Sequence, residues 1–109
     1  MKMNNLAREM YAVALKRESN GAVKTDNISM LKHCASEVVE ATEALIRFEN
    51  TLCNDDTIGE RWNDFEKELA DIVACVLIIC ARENIDISAN LKEVLKKNKA
   101  RAEGVGDKL

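Results

Sequence analysis

The 109-residue chain is predicted to be all-α: a four-helix bundle built round an antiparallel central hairpin. Three observations predict it. There is no proline, and two of the four glycines fall in the last six residues, so little interrupts a helix. Apolar residues make up 47% and charged residues 32%, the balance of a folded domain with one small core. Apolar side chains recur at helical spacing in four segments, divided by short stretches rich in Asn, Asp, Ser and Thr.

The first helix is expected over residues 3–18, with Leu6, Met10, Val13 and Arg17 along one face. "SNGAVKTDN" (19–27) ends it, and Asp26 is the expected N-cap of the second helix, residues 28–49. Leu31, Cys34, Val38, Ala41, Leu45 and Phe48 form the predicted core stripe of that helix. After the loop 50–57, Thr57 and Glu60 read as a capping box opening a third helix that runs to residue 83. The second half of this helix, "IVACVLIICA" (72–81), is apolar on nearly every side. Such a helix needs cover all round, more than three companions in so small a chain provide, so a homo-oligomer, dimer or tetramer, is expected. Ser88 or Asp86 caps a fourth helix reaching residue 102, with Leu91, Val94, Leu95 and Asn98 on its expected inward line. Gly104 supplies the stop. Residues 1–103 read as a single domain and 104–109 as a flexible tail.

A net charge of −3 disfavours nucleic-acid polymers as partners, but not a single nucleotide held through a metal ion. The longest apolar run is too short to cross a bilayer and is flanked by charges, so no membrane association is expected. The N-terminal residues lack the apolar block of a signal peptide. Cys34, Cys75 and Cys80 occupy apolar helical positions, Cys53 falls in a loop, and there is no C-x-x-C pair. Buried free thiols are expected, and with them a cytoplasmic location.

Two acidic pairs carry the chemistry. Glu37 and Glu40 lie three apart on the second helix, Glu68 and Asp71 three apart on the third, each pair on the shoulder of an apolar face. Glu40 stands about ten residues before the connecting loop and Glu68 about eleven after Thr57. Both are then roughly 15 Å from the turn at about 1.5 Å per residue, so an antiparallel hairpin sets them level. Glu37 is level with Asp71 by the same count. Converging carboxylates repel one another, and a hard divalent cation resolves the conflict. Oxygen ligands without His or Cys suit Mg²⁺ or Mn²⁺. The competing reading is a solvated acidic face. Glu43, Glu49, Glu60 and Glu66 are read in that way, as surface charge or caps.

At these residues the sequence resembles the MazG-type, all-α nucleoside triphosphate pyrophosphohydrolases, whose mark is E-x-x-E, a gap, then E-x-x-D on neighbouring antiparallel helices. Here it is Glu37-Val-Val-Glu40, a gap of 27 residues, and Glu68-Leu-Ala-Asp71, and the helix order agrees over residues 3–103. Ser36 stands where many members carry a further Glu, a departure that bears on the subfamily more than on the activity. The resemblance implies Mg²⁺-dependent hydrolysis of a nucleoside triphosphate, non-canonical or deoxy nucleotides included, to the monophosphate and pyrophosphate. It implies a role in sanitising the nucleotide pool. Glu37, Glu40, Glu68 and Asp71 would be the metal-binding and catalytic residues, and Lys97, Asn98 and Arg101 would hold the substrate phosphates. Lys96 and Lys99 are read instead as complementing the helix dipole. His33, one turn before Glu37, is read as a surface or supporting residue rather than a base. Tyr11 and Trp62 are read as packing residues. With no E-x-x-H, a ferritin-like di-iron site is disfavoured.

Two rival readings accompany this one. The first is a phosphoribosyl-ATP pyrophosphatase-like enzyme. The second is a non-enzymatic helical oligomer or adaptor whose acids only solubilise it. The preferred base, the attacked phosphorus, the number of ions and the group that deprotonates the attacking water are not encoded in any local pattern.

Overall fold

A computed structural model describes residues 2–51 and 57–104, and every regular element among them is helical. The elements are α1 (Met3–Ser19), α2 (Asn27–Glu49), α3 (Ile58–Arg82) and α4 (Ile87–Ala102). Cys53 and residues 105–109 lie outside the described residues.

The helix ends follow local chemistry. Asp26 caps α2 by accepting from the Ser29 backbone N–H at 3.1 Å, and Asp86 caps α4 by accepting from that of Ala89 at 3.0 Å. Of the two caps considered for α4, Asp86 is the one used. Hydrogen bonds to the ionised form hold both carboxyls below the ordinary Asp range, foremost from the Ser29 side chain at Asp26 and from Asn4 at Asp86. The capping box expected at α3 does not form. Thr57 has helical backbone angles rather than the extended ones a capping side chain needs, and its hydroxyl accepts from Arg61 Nε at 3.2 Å. The C-termini of α1 and α3 close with paired 6→1 and 5→2 hydrogen bonds: Ala22 N to Arg17 O with Gly21 N to Glu18 O, and Ile85 N to Cys80 O with Asn84 N to Ala81 O. The motif needs one residue of positive φ, supplied by Gly21 at 90° and Asn84 at 57°.

α2 and α3 run antiparallel. Asn27 bonds Glu83 at 2.6 Å at one end, and Cys34 Sγ approaches Ile72 O at 4.0 Å farther along. α1 packs on α3, and the core forms where the three meet: buried Met30, Cys75 and Ile78, ringed by Met10, Tyr11, Ala14, Cys34 and Ile79. The α1–α2 turn is pinned to its neighbours. Thr25, 2% exposed, donates its N–H to Glu18 at 2.5 Å and accepts from Arg82 at 3.4 Å. At the far end Trp62 packs between Phe48 and Phe65, with ring centroids 4.9 and 5.3 Å away.

Three expected faces are rotated. On α1 the inward residues are Ala7, Met10, Tyr11 and Ala14, whereas Val13 is exposed. On α2 they are Met30, Glu37, Ala41 and Ala44, with Leu31 and Val38 on the outside. In both helices alanines share the inward face with Met10, Tyr11 and Met30, and Val13, Leu31 and Val38 are left at the periphery. The inward line expected for α4 does not face a core. Leu91, Val94 and Leu95 are each about half exposed, Asn98 is exposed, and no residue of α4 is buried. The turn at Asn84 sends α4 off beside the start of α1, where Asn4 reaches Asp86 at 3.0 Å. A radius of gyration of 17.2 Å records this open shape; a compact chain of this length would have about 13 Å.

Candidate metal centre

The face of α2 that packs on α3 carries an acid among its small residues. Glu37 lies between Cys34 and Ala41 on that face and is 8% exposed, deeper than the shoulder position expected for it. Glu40, one turn on, is exposed, and Glu68 projects from α3 half-buried. One carboxylate oxygen from each of the three lies within 4.8 Å of the others. Asp71, the fourth expected acid, is exposed and lines an adjoining cavity of about 160 Å³ with Arg17, His33, Met30 and Cys75. Helical spacing gives Arg17 only a place on the face of α1; its part in this cavity depends on how α1 docks, which no local pattern signals.

The electrostatics are those of crowded acids. Glu68 is held above its usual range, first by the close side chain of Glu37, then by desolvation and the charges of Glu37 and Asp71. Contact with Glu40 acts the other way. Burial, followed by the neighbouring Cys34, Glu37 and Asp71, pushes the Cys75 thiol up to about 11, so it stays protonated and unreactive at neutral pH. Cys34, Cys75 and Cys80 are all free thiols.

Glu37 Oε2 and Glu68 Oε2 are both buried without a hydrogen-bond partner. Orphaned buried acceptors are costly, and on anionic oxygens they call for a cation. The donor set is oxygen only, matching a hard divalent ion, and the group fits. Lys97, Asn98 and Arg101 lie on the C-terminal half of α4, and no ion pair or hydrogen bond joins them to these acids among the described residues.

The model of the MazG nucleotide pyrophosphohydrolase domain matches residues 25–106, three quarters of the chain and all of α2, α3 and α4. The chain belongs to the MazG family. Comparison with curated proteins and with solved structures gives no match. The MazG domain supports nucleotide pyrophosphohydrolase activity in general, and divalent-metal use is a general property of the family. In this MazG chain both acidic pairs fall inside the matched region. No described helix is long and apolar enough to cross a membrane.

Proposed function

We propose that the protein hydrolyses a nucleoside triphosphate to the monophosphate and pyrophosphate with Mg²⁺, or Mn²⁺ in its place, held by Glu37, Glu40, Glu68 and Asp71. The observation that carries this reading is the pair of orphaned buried oxygens on Glu37 and Glu68 inside a three-carboxylate cluster. A surface acidic face would leave its oxygens to water. When bound, the cation supplies countercharge to the phosphate oxygens as negative charge builds in the transition state. Glu37 and Glu68 anchor the cradle from the core side, where packing fixes them. Exposed Glu40 and Asp71 close it toward solvent, and a carboxylate there is placed to take the proton of the attacking water. Lys97, Asn98 and Arg101 would donate to the outer phosphates. Their arm leaves the cradle of its own chain, so this reading brings them into the site through assembly of two or four copies. Exposed Val38, Val39, Leu69, Val73 and Val76 beside the acids supply an apolar surface for such an assembly.

The test is incubation with each canonical, deoxy and modified triphosphate plus Mg²⁺. Pyrophosphate and monophosphate are the expected products. Orthophosphate release, or no turnover of any nucleotide, overturns the proposal. Turnover of phosphoribosyl-ATP alone would support the narrower enzyme reading instead.

A further inference from the structure

Glu37 has two unlike oxygens. Oε1 is 3.2 Å from His33 Nε2, one turn earlier on α2, while Oε2 is buried with no partner. An ordinary i, i+4 pair on a helix surface has both members in water and contributes little. This pair does not. The Glu37 side chain is 11% exposed and that of His33 38%, so a partly exposed imidazole sits beside a nearly buried carboxylate. His33 also lines the cavity that contains Asp71 and Cys75, with Met30 on its own helix one turn before it, so it borders both Glu37 and the space beside the acids. Nε2 carries a proton in the cation and in one neutral tautomer, and in either form it attracts Oε1.

From this we infer that His33 is a positioning residue for the cation cradle: with Nε2 3.2 Å from Oε1 it restrains the rotation of the Glu37 carboxylate and leaves Oε2 for the ion. The inference rests on the cation-binding reading given above. Partners that orient a ligating group typically affect metal affinity by about 10–100-fold. His33 has no such duty in folding. It is partly exposed in mid-helix, where Ala and Gln are better helix formers.

The experiment is Mn²⁺ binding to the full chain without nucleotide, followed by electron paramagnetic resonance and calorimetry, for wild type, His33→Ala, His33→Phe and His33→Gln. Ala and Phe are expected to weaken Mn²⁺ binding by about tenfold or more with unchanged helicity and melting. Gln, whose amide can donate to the same oxygen, is expected to recover most of the loss. Equal Mn²⁺ affinity in wild type and His33→Ala overturns this inference alone, as does a Gln variant no better than Ala. A wild-type chain that binds no Mn²⁺ overturns it together with the cradle on which it rests.

Discussion

The α2–α3 hairpin and the α4 arm stand in opposite relations to the rest of the chain. The hairpin buries Met30, Ala41, Ala44, Cys75, Leu77, Ile78 and Cys80, and even an acid, Glu37. The arm buries nothing. A rigid surround is what lets the hairpin hold unsatisfied carboxylate oxygens in place, since a mobile acid would turn to water. The arm has no such constraint, and its half-exposed Leu91, Val94 and Leu95 are free to find another surface. The difference separates a site fixed by folding from one completed, on our reading, by association.

The largest effect should come from breaking the hairpin's site without breaking the hairpin. Glu68→Gln keeps shape and removes charge. It is expected to reduce divalent-ion affinity and turnover by more than the roughly 100-fold limit for a group one shell farther out. Exposed Glu43→Gln, one turn beyond Glu40, should leave both unchanged. Calorimetry with Mg²⁺ and a pyrophosphate assay read the two effects separately. Equal losses in both variants would mean that acidity, not placement, is what matters.

Next in size is a packing contrast. Leu77 is 2% exposed, so Leu77→Ala should cost about 2–5 kcal/mol in urea unfolding. Leu95→Ser, on a residue 54% exposed, should change the stability of the isolated chain by no more than about 0.5 kcal/mol. If the arm meets another copy, Leu95→Ser instead lowers the association constant in sedimentation, and the wild-type midpoint rises with protein concentration. A concentration-independent midpoint together with an unaffected Leu95→Ser would show that the arm stays solvated.

This contrast also marks what was legible in the sequence. Helix number, order and most ends follow from local signals: Asp26 and Asp86 as caps, Gly104 as a stop, the absence of proline. Each of these acts within a turn, so the chain states it directly. Facing is another matter. Val13, Leu31 and Val38 have the right spacing and polarity for a core yet lie outside it, while Ala7, Ala41 and Ala44 are buried. Glu37 is buried on the packing face too, which apolar patterning cannot reveal. The approach of Glu37 and Glu40 to Glu68 was readable from residue counts, since helical rise is constant, whereas Asp71, counted level with Glu37, lies outside that three-acid cluster. The path of α4 was not. It depends on the turn at Asn84, and Asn in that position has no unique sequence mark.

A smaller effect concerns pH in the hairpin alone. Glu68 is protonated in both folded and unfolded chains at acid pH and costs nothing there. As pH rises through the ordinary Glu range the unfolded chain releases its proton first, while the folded chain holds on at the raised value. The fold therefore loses stability across that window, and the loss is constant above it. With chelator present, Glu68→Gln should melt like wild type at the acid end and a few degrees higher at neutral pH. Asp26 and Asp86, whose pKa values are lowered, give the opposite slope in both proteins and cancel in the difference. A gap between the two melting curves that does not change with pH would contradict crowding of Glu68 by its neighbours.

The smallest effect lies at the joint between the two regions. Asn84 carries φ 57° and sits where Ile85 N–H reaches back to Cys80 O at 2.8 Å and Asn84 N–H to Ala81 O at 3.3 Å. Left-handed backbone costs an ordinary L-residue about 1–2 kcal/mol, less for Asn and nothing for Gly. Glycine also has more freedom to lose on folding, which offsets part of its advantage. Asn84→Gly should then change stability by only a few tenths of a kcal/mol, whereas Asn84→Ala should cost about 1 kcal/mol. Because the turn aims α4 and touches no acid of the cradle, Asn84→Ala should leave Mn²⁺ affinity unchanged while altering association. Loss of Mn²⁺ binding in that variant would show that hairpin and arm are one cooperative unit, and the division drawn between them would fall.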